Sequence, residues 1–302
     1  MRTAVEHIMG TAISIAAPDH TDPALFAAAA RAAYDRLRHA DEVFSLYKPD
    51  SPASRIRDGR LPLTDLPAHP DGDEIREVLA LCAQLHRASR GAFDAWNVGD
   101  PPAFDPSGAV KGWAAEHAAR LLAEHGLAHY ALNAGGDVRV HGGTGEGGGS
   151  GDAGGDGRDG SGPDADAGAG AAAAVPWRVG VTDPHRPGNT LTVVELAEGA
   201  VATSGTAERG LHVYDPRTRR PATALAQVTV TGPDLALADG YATAALALAG
   251  AARPAEAHAW LTALAEHTGY QALTVDADTG VWWTPGFNQH APTLPPHPAA
   301  AL

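Results

Sequence analysis

A Gly- and Asp-rich segment at 142–175 divides the chain and most constrains how it can fold. It contains 14 glycines and six acidic residues but no aromatic residue. Such a segment cannot bury enough apolar surface to offset the entropy lost on ordering. We therefore predict a flexible insertion in a single domain over 1–302. Strand-like sequences flank it, so we expect two neighbouring strands joined across it, because loop-closure cost rises slowly with length.

The periodicity of the remaining sequence predicts an α+β fold. Apolar residues recur at helical spacing over 23–40, 71–89, 111–125, 239–249 and 254–267. Short strand-like runs are predicted at 5–17, 130–133, 137–140, 177–182, 190–196, 200–203, 211–214, 226–231, 270–275 and 280–283. Strands in runs, with helices between the groups, favour mostly antiparallel sheet flanked by helices. The Pro-rich tail at 288–302 is predicted to be irregular.

Charge and cysteine content exclude several classes of protein. The 22 basic and 36 acidic side chains give a net charge of −14, which repels phosphate backbones and excludes nucleic acid as the expected partner. Cys82 is the only cysteine, so an intrachain disulfide is excluded, and its apolar neighbours predict a buried thiol. No stretch approaches the ~20 apolar residues of a membrane span. The first residues contain no apolar signal core, so we expect a cytoplasmic protein without membrane insertion.

Lys111 is predicted to open a helix directly after the Gly-containing turn at 104–108. A cation in the first turn opposes the helix dipole. Together with free backbone N–H groups, however, a lysine there forms an anion site. The alternative is a solvated lysine beside a glycine turn, and the residues alone favour that alternative.

The segment 202–216 gathers hydroxyls, an imidazole and a carboxylate within a short span. His212 titrates near neutral pH, which suits a general base. A polar hairpin without catalytic function is the other interpretation.

Asp239 and Thr243 lie one helical turn apart at the start of an Ala- and Leu-rich helix. Residues four apart share a helix face, and carboxylate and hydroxyl oxygens are ligands that Mg²⁺ prefers. Helix N-capping alone also accounts for Asp239.

Nine segments, taken together and in order, resemble the motifs of the ApbE-type FAD:protein FMN transferase family. The resemblance covers roughly 5–285. The segments are Met9-Gly10-Thr11, 41–51, Gly91-Ala92-Phe93-Asp94, 105–112, Asn133-Ala134-Gly135-Gly136-Asp137, 177–184, Thr203-Ser204-Gly205, 212–216 and 239–243.

The resemblance implies a Mg²⁺-dependent enzyme that takes FAD as substrate. Such an enzyme transfers FMN to a Thr or Ser hydroxyl of an acceptor protein and releases AMP. By resemblance, His212 and Lys111 are the catalytic residues, with His212 as the base. The implied FAD-binding residues are Met9, Tyr47, Ala92, Phe93, Asp94, Asp105, Lys111 and Tyr214. The implied Mg²⁺ ligands are Asp239, Thr243 and the carbonyls of Gly108 and Ala242.

Two other functions remain open from the sequence. The same pocket and metal suit an FAD pyrophosphatase, in which water replaces the acceptor hydroxyl. A flavin-binding protein without catalysis is the second alternative, although bare binding needs neither a metal pair nor a base.

Overall fold

A computed structural model describes residues 1–144, 175–207, 210–211 and 213–294. Of the predicted insertion at 142–175, only 142–144 and 175 belong to the described residues, and the tail is described as far as 294. The helices are α1 (Pro23–Phe44), α2 (Pro52–Arg57), α3 (Gly72–Ala88), α4 (Ser107–Glu124), α5 (Leu235–Ala249) and α6 (Pro254–His267). Two 3-10 helices span Leu63–Ala68 and Phe287–Gln289.

The described strands form one large sheet and two small ones. The strands are β1 (Arg2–Ile8), β2 (Thr11–Ala17), β3 (Tyr130–Ala134), β4 (Asp137–His141), β5 (Trp177–Thr182), β6 (Thr190–Leu196), β7 (Gly199–Gly205), β8 (Tyr214–Asp215), β9 (Arg220–Pro221), β10 (Leu225–Gly232), β11 (Gln271–Asp276) and β12 (Val281–Trp283). The large sheet has the order β1-β2-β3-β4-β7-β10-β11-β12. Its pairings are all antiparallel, which confirms the predicted α+β fold.

Each face of the large sheet covers a separate apolar core. Ile13, Leu132 and Val228 face the helices and are buried with α1, α4 and α5. On the opposite face, Val140 and Val275 pack against the β5–β6 hairpin and the 3-10 helix at Phe287–Gln289. This alternation follows from the two-residue period of a strand. The cleft described below lies where the two layers meet beyond the strand ends.

The strands on either side of the insertion lie close together but do not pair as neighbours. Thr144 N donates to Val175 O at 2.8 Å, and Trp177 Nε1 donates to His141 O at 3.2 Å. Strand β4 pairs with β7, whereas β5 pairs with β6 in a second layer. The two strands are therefore close in space, as expected of neighbours, but they belong to different layers, because Trp177 and Val181 pack against the large sheet rather than within it.

Cys82 is buried in α3, as predicted. Burial raises the pKa of its thiol to about 12, so it stays protonated at neutral pH. Among the described residues, no helix is both long and apolar enough to cross a bilayer.

Helices α4 and α5 pack closely because Gly112 has no side chain. A Cβ at Gly112 would lie 2.7 Å from Asp239 Cβ and 2.7 Å from Leu235 O. We expect Gly112→Ala to lower the free energy of unfolding by about 1–3 kcal/mol, since the clash forces the helices apart. Urea denaturation would measure this change.

Gly180 supplies the matched control for that substitution. It lies within β5, and a Cβ there would meet only Thr190, at 3.7 Å. Gly180→Ala should leave stability unchanged or raise it by up to ~1 kcal/mol, because alanine loses less backbone entropy. An equal change in the free energy of unfolding for the two variants would contradict this account of the α4–α5 contact.

A candidate active-site cleft

A cleft of about 440 Å³ opens beside the N-terminal halves of α4 and α5. The helices supply one wall, and the β5–β6 hairpin with its turn supplies the other. The residues that define its chemistry are Phe93, Asp94, Asp105, Gly108, Lys111, Ser204, Tyr214, Asp239 and Thr243. Motifs separated by more than a hundred residues therefore meet in one place.

Lys111 lies in the second turn of α4, not in its first turn as predicted. The helix begins at Ser107, four residues earlier than its predicted start. The Lys111 ammonium donates to Asp137 Oδ2 and lies 3.7 Å from Asp239 Oδ1. These two carboxylates, rather than an anion at a helix terminus, account for the cation at this position.

Asp239 is not a helix cap. Helix α5 begins at Leu235, and Asp234 caps it by accepting a hydrogen bond from Leu237 N at 3.0 Å. Asp239 instead lies one turn into the helix, only 3% exposed, where its Oδ2 accepts from Gly112 N at 2.9 Å. Capping therefore no longer explains this carboxylate.

Asp137 contacts Lys111, although residue types and spacing did not mark it as a candidate site residue. It begins β4, its exposure is 0%, and its Oδ1 accepts from Thr203 N at 2.9 Å. The signal was present, because Asp137 ends the motif that starts at Asn133. Only the packing of α4 against β4 brings Lys111 to this acid.

The side chains of Lys111, Asp137 and Asp239 are largely buried and together have a formal charge of −1. Asp137 and Asp239 contribute two negative charges, and Lys111 contributes one positive charge. A buried net charge is costly unless a counter-charge is supplied. Such a site therefore favours one further cation.

Hydroxyls lie next to this charged group. Thr243 Oγ1 and Ser204 Oγ are 3.0 Å apart and both side chains line the cleft. A Cβ at Gly108 would lie 3.2 Å from Thr243 Cγ2 and 3.2 Å from Phe93 Cε2, so Gly108 approaches both closely.

The donors present fit a hard cation. Among the described residues, no group of three or more His, Cys, Asp or Glu side chains is arranged to hold a metal ion. Mg²⁺, however, prefers oxygen ligands and commonly uses one or two carboxylates together with waters and substrate phosphates. The buried Asp239 carboxylate, the Thr243 hydroxyl and the uncompensated formal charge match that donor set.

Tyr214 borders the cleft on the β8–β9 hairpin, which its neighbour Asp215 anchors. Asp215 is 0% exposed and accepts from Arg217 Nε at 3.1 Å, from Thr218 Oγ1 at 3.1 Å and from Arg253. Burial alone raises the pKa of this carboxyl, but hydrogen bonds from Arg217 and Arg253 outweigh burial and lower it. Arg217 also donates to Leu248 O at 2.9 Å, which ties the hairpin to the end of α5.

The other predicted site residues divide into three groups. Ala92 joins Phe93, Asp94 and Asp105 in lining the cleft. Met9, Tyr47 and Ala242 are outside its lining: Tyr47 is 99% exposed, whereas Ala242 is 0% exposed within α5. Their parts in binding stay predictions. His212 lies outside the described residues.

Comparison with known proteins decides the family. The model of the ApbE family matches residues 9–98 and 95–273. The chain belongs to the ApbE family.

Curated relatives share part of this family sequence. The FAD:protein FMN transferase of Escherichia coli K12 is 29% identical over 154 residues, which are 48% of this chain and 36% of that protein. The protein of the same name from Vibrio cholerae is 27% identical over 149 residues, covering 46% and 36%. The matched segments thus span little more than a third of these relatives.

Solved ApbE structures share the fold across nearly the whole chain. The ApbE protein of Thermotoga maritima superposes with a TM-score of 0.71 at 20% identity, covering 96% of this chain and 98% of its own. The flavinyl transferase ApbE of Pseudomonas stutzeri gives 0.67 at 20% identity, covering 96% and 97%. The antiparallel sheet flanked by helices is therefore the fold of this family.

The Asp215 anchor predicts a pH-dependent loss of stability. Because the folded-state pKa is lowered, the anchor stabilises the fold above the ordinary value of 3.8. Its contribution disappears as pH falls below that value, through the lowered pKa. We expect Asp215→Asn to lower the free energy of unfolding by about 3 kcal/mol at pH 7 and by progressively less below pH ~4. Urea denaturation at a series of pH values would measure this change.

Glu195→Gln is the control for this experiment. Glu195 pairs at 3.3 Å with Arg178, which is 67% exposed. Removing such a surface pair should cost less than ~1 kcal/mol. An Asp215→Asn penalty equal to that of the control would contradict the anchoring role.

Proposed function

We propose that this chain transfers FMN from FAD to a Thr or Ser hydroxyl of an acceptor protein in a Mg²⁺-dependent reaction that releases AMP. The observation that carries the proposal is the Lys111 ammonium between two buried carboxylates, with a formal charge of −1, in the cleft. The names of the curated relatives support the same chemistry.

Mg²⁺ has a defined set of donors in this proposal. Asp239 and Thr243, together with the carbonyls of Gly108 and Ala242, would hold it. When bound, the ion would neutralise the diphosphate of FAD and would stabilise charge that develops on the oxygens around the transferred phosphorus. The acidic surface makes such local neutralisation necessary, since the net charge of −14 repels the substrate.

Lys111 supplies a second, fixed positive charge. It projects into the cleft from α4, and Asp137 limits its freedom by accepting its hydrogen bond. A held ammonium needs little reorganisation when a diphosphate arrives, which is the arrangement that favours electrostatic catalysis. We assign Lys111 to the diphosphate for this reason.

The rings and hydroxyl groups of FAD require both apolar and polar residues in the binding cleft. Phe93 and Tyr214 line the cleft and offer aromatic surface to a planar ring. Ala92 also lines the cleft, and the carboxylates of Asp94 and Asp105 would accept hydrogen bonds from hydroxyl or N–H groups of the substrate. Met9 and Tyr47 are proposed as further FAD contacts on the basis of the family resemblance.

The transfer step forms one phosphorus–oxygen bond and breaks another. The acceptor hydroxyl oxygen forms a bond to the FMN-side phosphorus, and the phosphoanhydride bond to AMP breaks. The hydroxyl proton passes to a base, for which we propose His212. AMP leaves with the bridging oxygen, and FMN remains attached to the acceptor through a phosphoester. Positioning of the two reactants supplies much of the rate.

The deciding experiment supplies FAD and Mg²⁺ with and without an acceptor domain that contains threonines. AMP is followed by chromatography, and covalent flavin by the mass of the acceptor. AMP together with an FMN adduct supports the transferase. AMP and free FMN in both tubes indicate the pyrophosphatase instead, and unchanged bound FAD indicates a flavin-binding protein.

Asp239→Asn tests the proposed cation site without opening the helix contact. Asparagine Oδ1 still accepts from Gly112 N, whereas the negative charge is lost. We expect AMP release to fall by about 100-fold or more, while circular dichroism stays unchanged. The control is Asp278→Asn, which removes an exposed carboxylate from a turn. Full activity of Asp239→Asn would exclude this cation site.

Lys111→Met tests the role assigned to the ammonium. Loss of a charge-assisted contact worth ~1.5–3 kcal/mol should weaken the interaction with the diphosphate about 10- to 100-fold. We expect a higher KM for FAD and a lower kcat, measured by AMP release. Arg76→Met, which removes an exposed cation from α3, should leave both constants unchanged. A variant that binds and turns over FAD normally would refute the assignment.

A further inference from the structure

We propose that Ser204 is a positioning residue that turns the Thr243 hydroxyl so that its oxygen lone pairs face the divalent cation. This inference rests on the proposed function, because it concerns the same cation site. Ser204 belongs to the Thr203-Ser204-Gly205 motif and to neither the FAD-binding set nor the Mg²⁺-binding set that the resemblance implies. A hydrogen bond joins the Ser204 and Thr243 hydroxyls.

The Thr243 hydroxyl has an unusual partner for a threonine inside a helix. Such hydroxyls often bond the carbonyl oxygen four residues earlier. Among the described residues, Thr243 Oγ1 instead pairs with Ser204 Oγ of β7 at 3.0 Å. The side chain is therefore turned from its own helix toward the sheet, at the point where both residues line the cleft.

The direction of this hydrogen bond follows from the needs of a cation ligand. A hydroxyl has one proton and two lone pairs. When a lone pair binds a cation, the proton must point away from the ion and needs an acceptor. Ser204 Oγ lies at hydrogen-bond distance from Thr243 Oγ1 and can accept that proton. Groups that orient a metal ligand in this way affect metal affinity as well as geometry.

The rest of the surroundings restricts the Thr243 side chain further. Its methyl group lies near Gly108, where a Cβ would come within 3.2 Å of it. Ser204 itself is only 8% exposed and is paired with Val228 within the large sheet. The residue before it, Thr203, donates its backbone N–H to Asp137. Strand β7 thus contacts both parts of the site. Its Thr203 N–H binds the carboxylate that accepts from Lys111, and its Ser204 hydroxyl is the one that we assign to orienting Thr243.

The inference is tested by metal binding in the absence of FAD. Mn²⁺ suits the same oxygen donors as Mg²⁺, and electron paramagnetic resonance measures the free ion directly. The full chain is titrated with Mn²⁺ as wild type, Ser204→Ala, Thr243→Val and the double variant. We expect Ser204→Ala to weaken binding about 10-fold or more. In the Thr243→Val background, Ser204→Ala should cause no further loss, because its effect acts through Thr243.

Thr229→Val is the matched control. Thr229 Oγ1 pairs with Thr203 Oγ1 at 3.0 Å, so this variant also removes a hydroxyl pair from the β7–β10 region. Thr203 alternates with Ser204 and faces the opposite side of the sheet. We therefore expect this control to bind Mn²⁺ as the wild type does. Circular dichroism of all variants verifies that they fold.

A second readout separates positioning from a purely structural role. With FAD, Ser204→Ala should need more Mg²⁺ for half-maximal AMP release and should approach wild-type kcat when Mg²⁺ is saturating. Three results would overturn the inference: Mn²⁺ affinity of Ser204→Ala within about twofold of wild type, an equal loss in the Thr243→Val background, or no Mn²⁺ binding by the wild type. Wild-type protein that binds Mn²⁺ with this coupling but leaves FAD unchanged would refute the proposed function alone.

Discussion

The contact between Gly112 of α4 and Asp239 of α5 is the constraint on which the site depends. Because Gly112 has no Cβ, its backbone N–H reaches the Asp239 carboxylate at 2.9 Å. That hydrogen bond fixes the buried acid and sets the spacing of the two helices. Lys111, one residue before Gly112, is thereby brought within 3.7 Å of Asp239. A larger residue at 112 would disturb helix packing and the charged group together.

The large sheet places the remaining parts of the site. Strands β4 and β7 are neighbours although 57 residues separate His141 from Gly199 in the sequence, and their pairing brings Thr203 to Asp137. The helix-covered face then presents Asp137 to Lys111 and Ser204 to Thr243. On the opposite face, the β5–β6 hairpin extends past the strand ends and closes the other side of the cleft. The cleft is thus a consequence of two layers that share one sheet.

Local sequence predicted most elements because their signals are short-range. Pro23 at the start of α1, the apolar spacing of α3 and the alternation in β5 and β6 fixed the type of each element. Helices α4 and α5 each begin four residues before the start that their apolar periodicity predicts. Helix starts are set by capping and tertiary contacts, and here Asp234 rather than Asp239 caps α5. A helix that began near residue 239 would have Asp239 as its cap, whereas the observed start at Leu235 places Asp239 inside the helix.

The sequence by itself determined the α+β class, the family resemblance and the presence of Lys111, Asp239 and Thr243 at chemically meaningful spacing. These follow from local periodicity and from residue types that recur in order along the chain. Only the tertiary structure decided that Asp137 holds Lys111, that β5 belongs to a second layer, and that Ser204 meets Thr243. The Asp137–Lys111 and Ser204–Thr243 contacts join residues that are 26 and 39 positions apart. The layer to which β5 belongs depends on which of its faces is buried. No local pattern encodes such a contact, because it forms only when the sheet and helices bury their cores together.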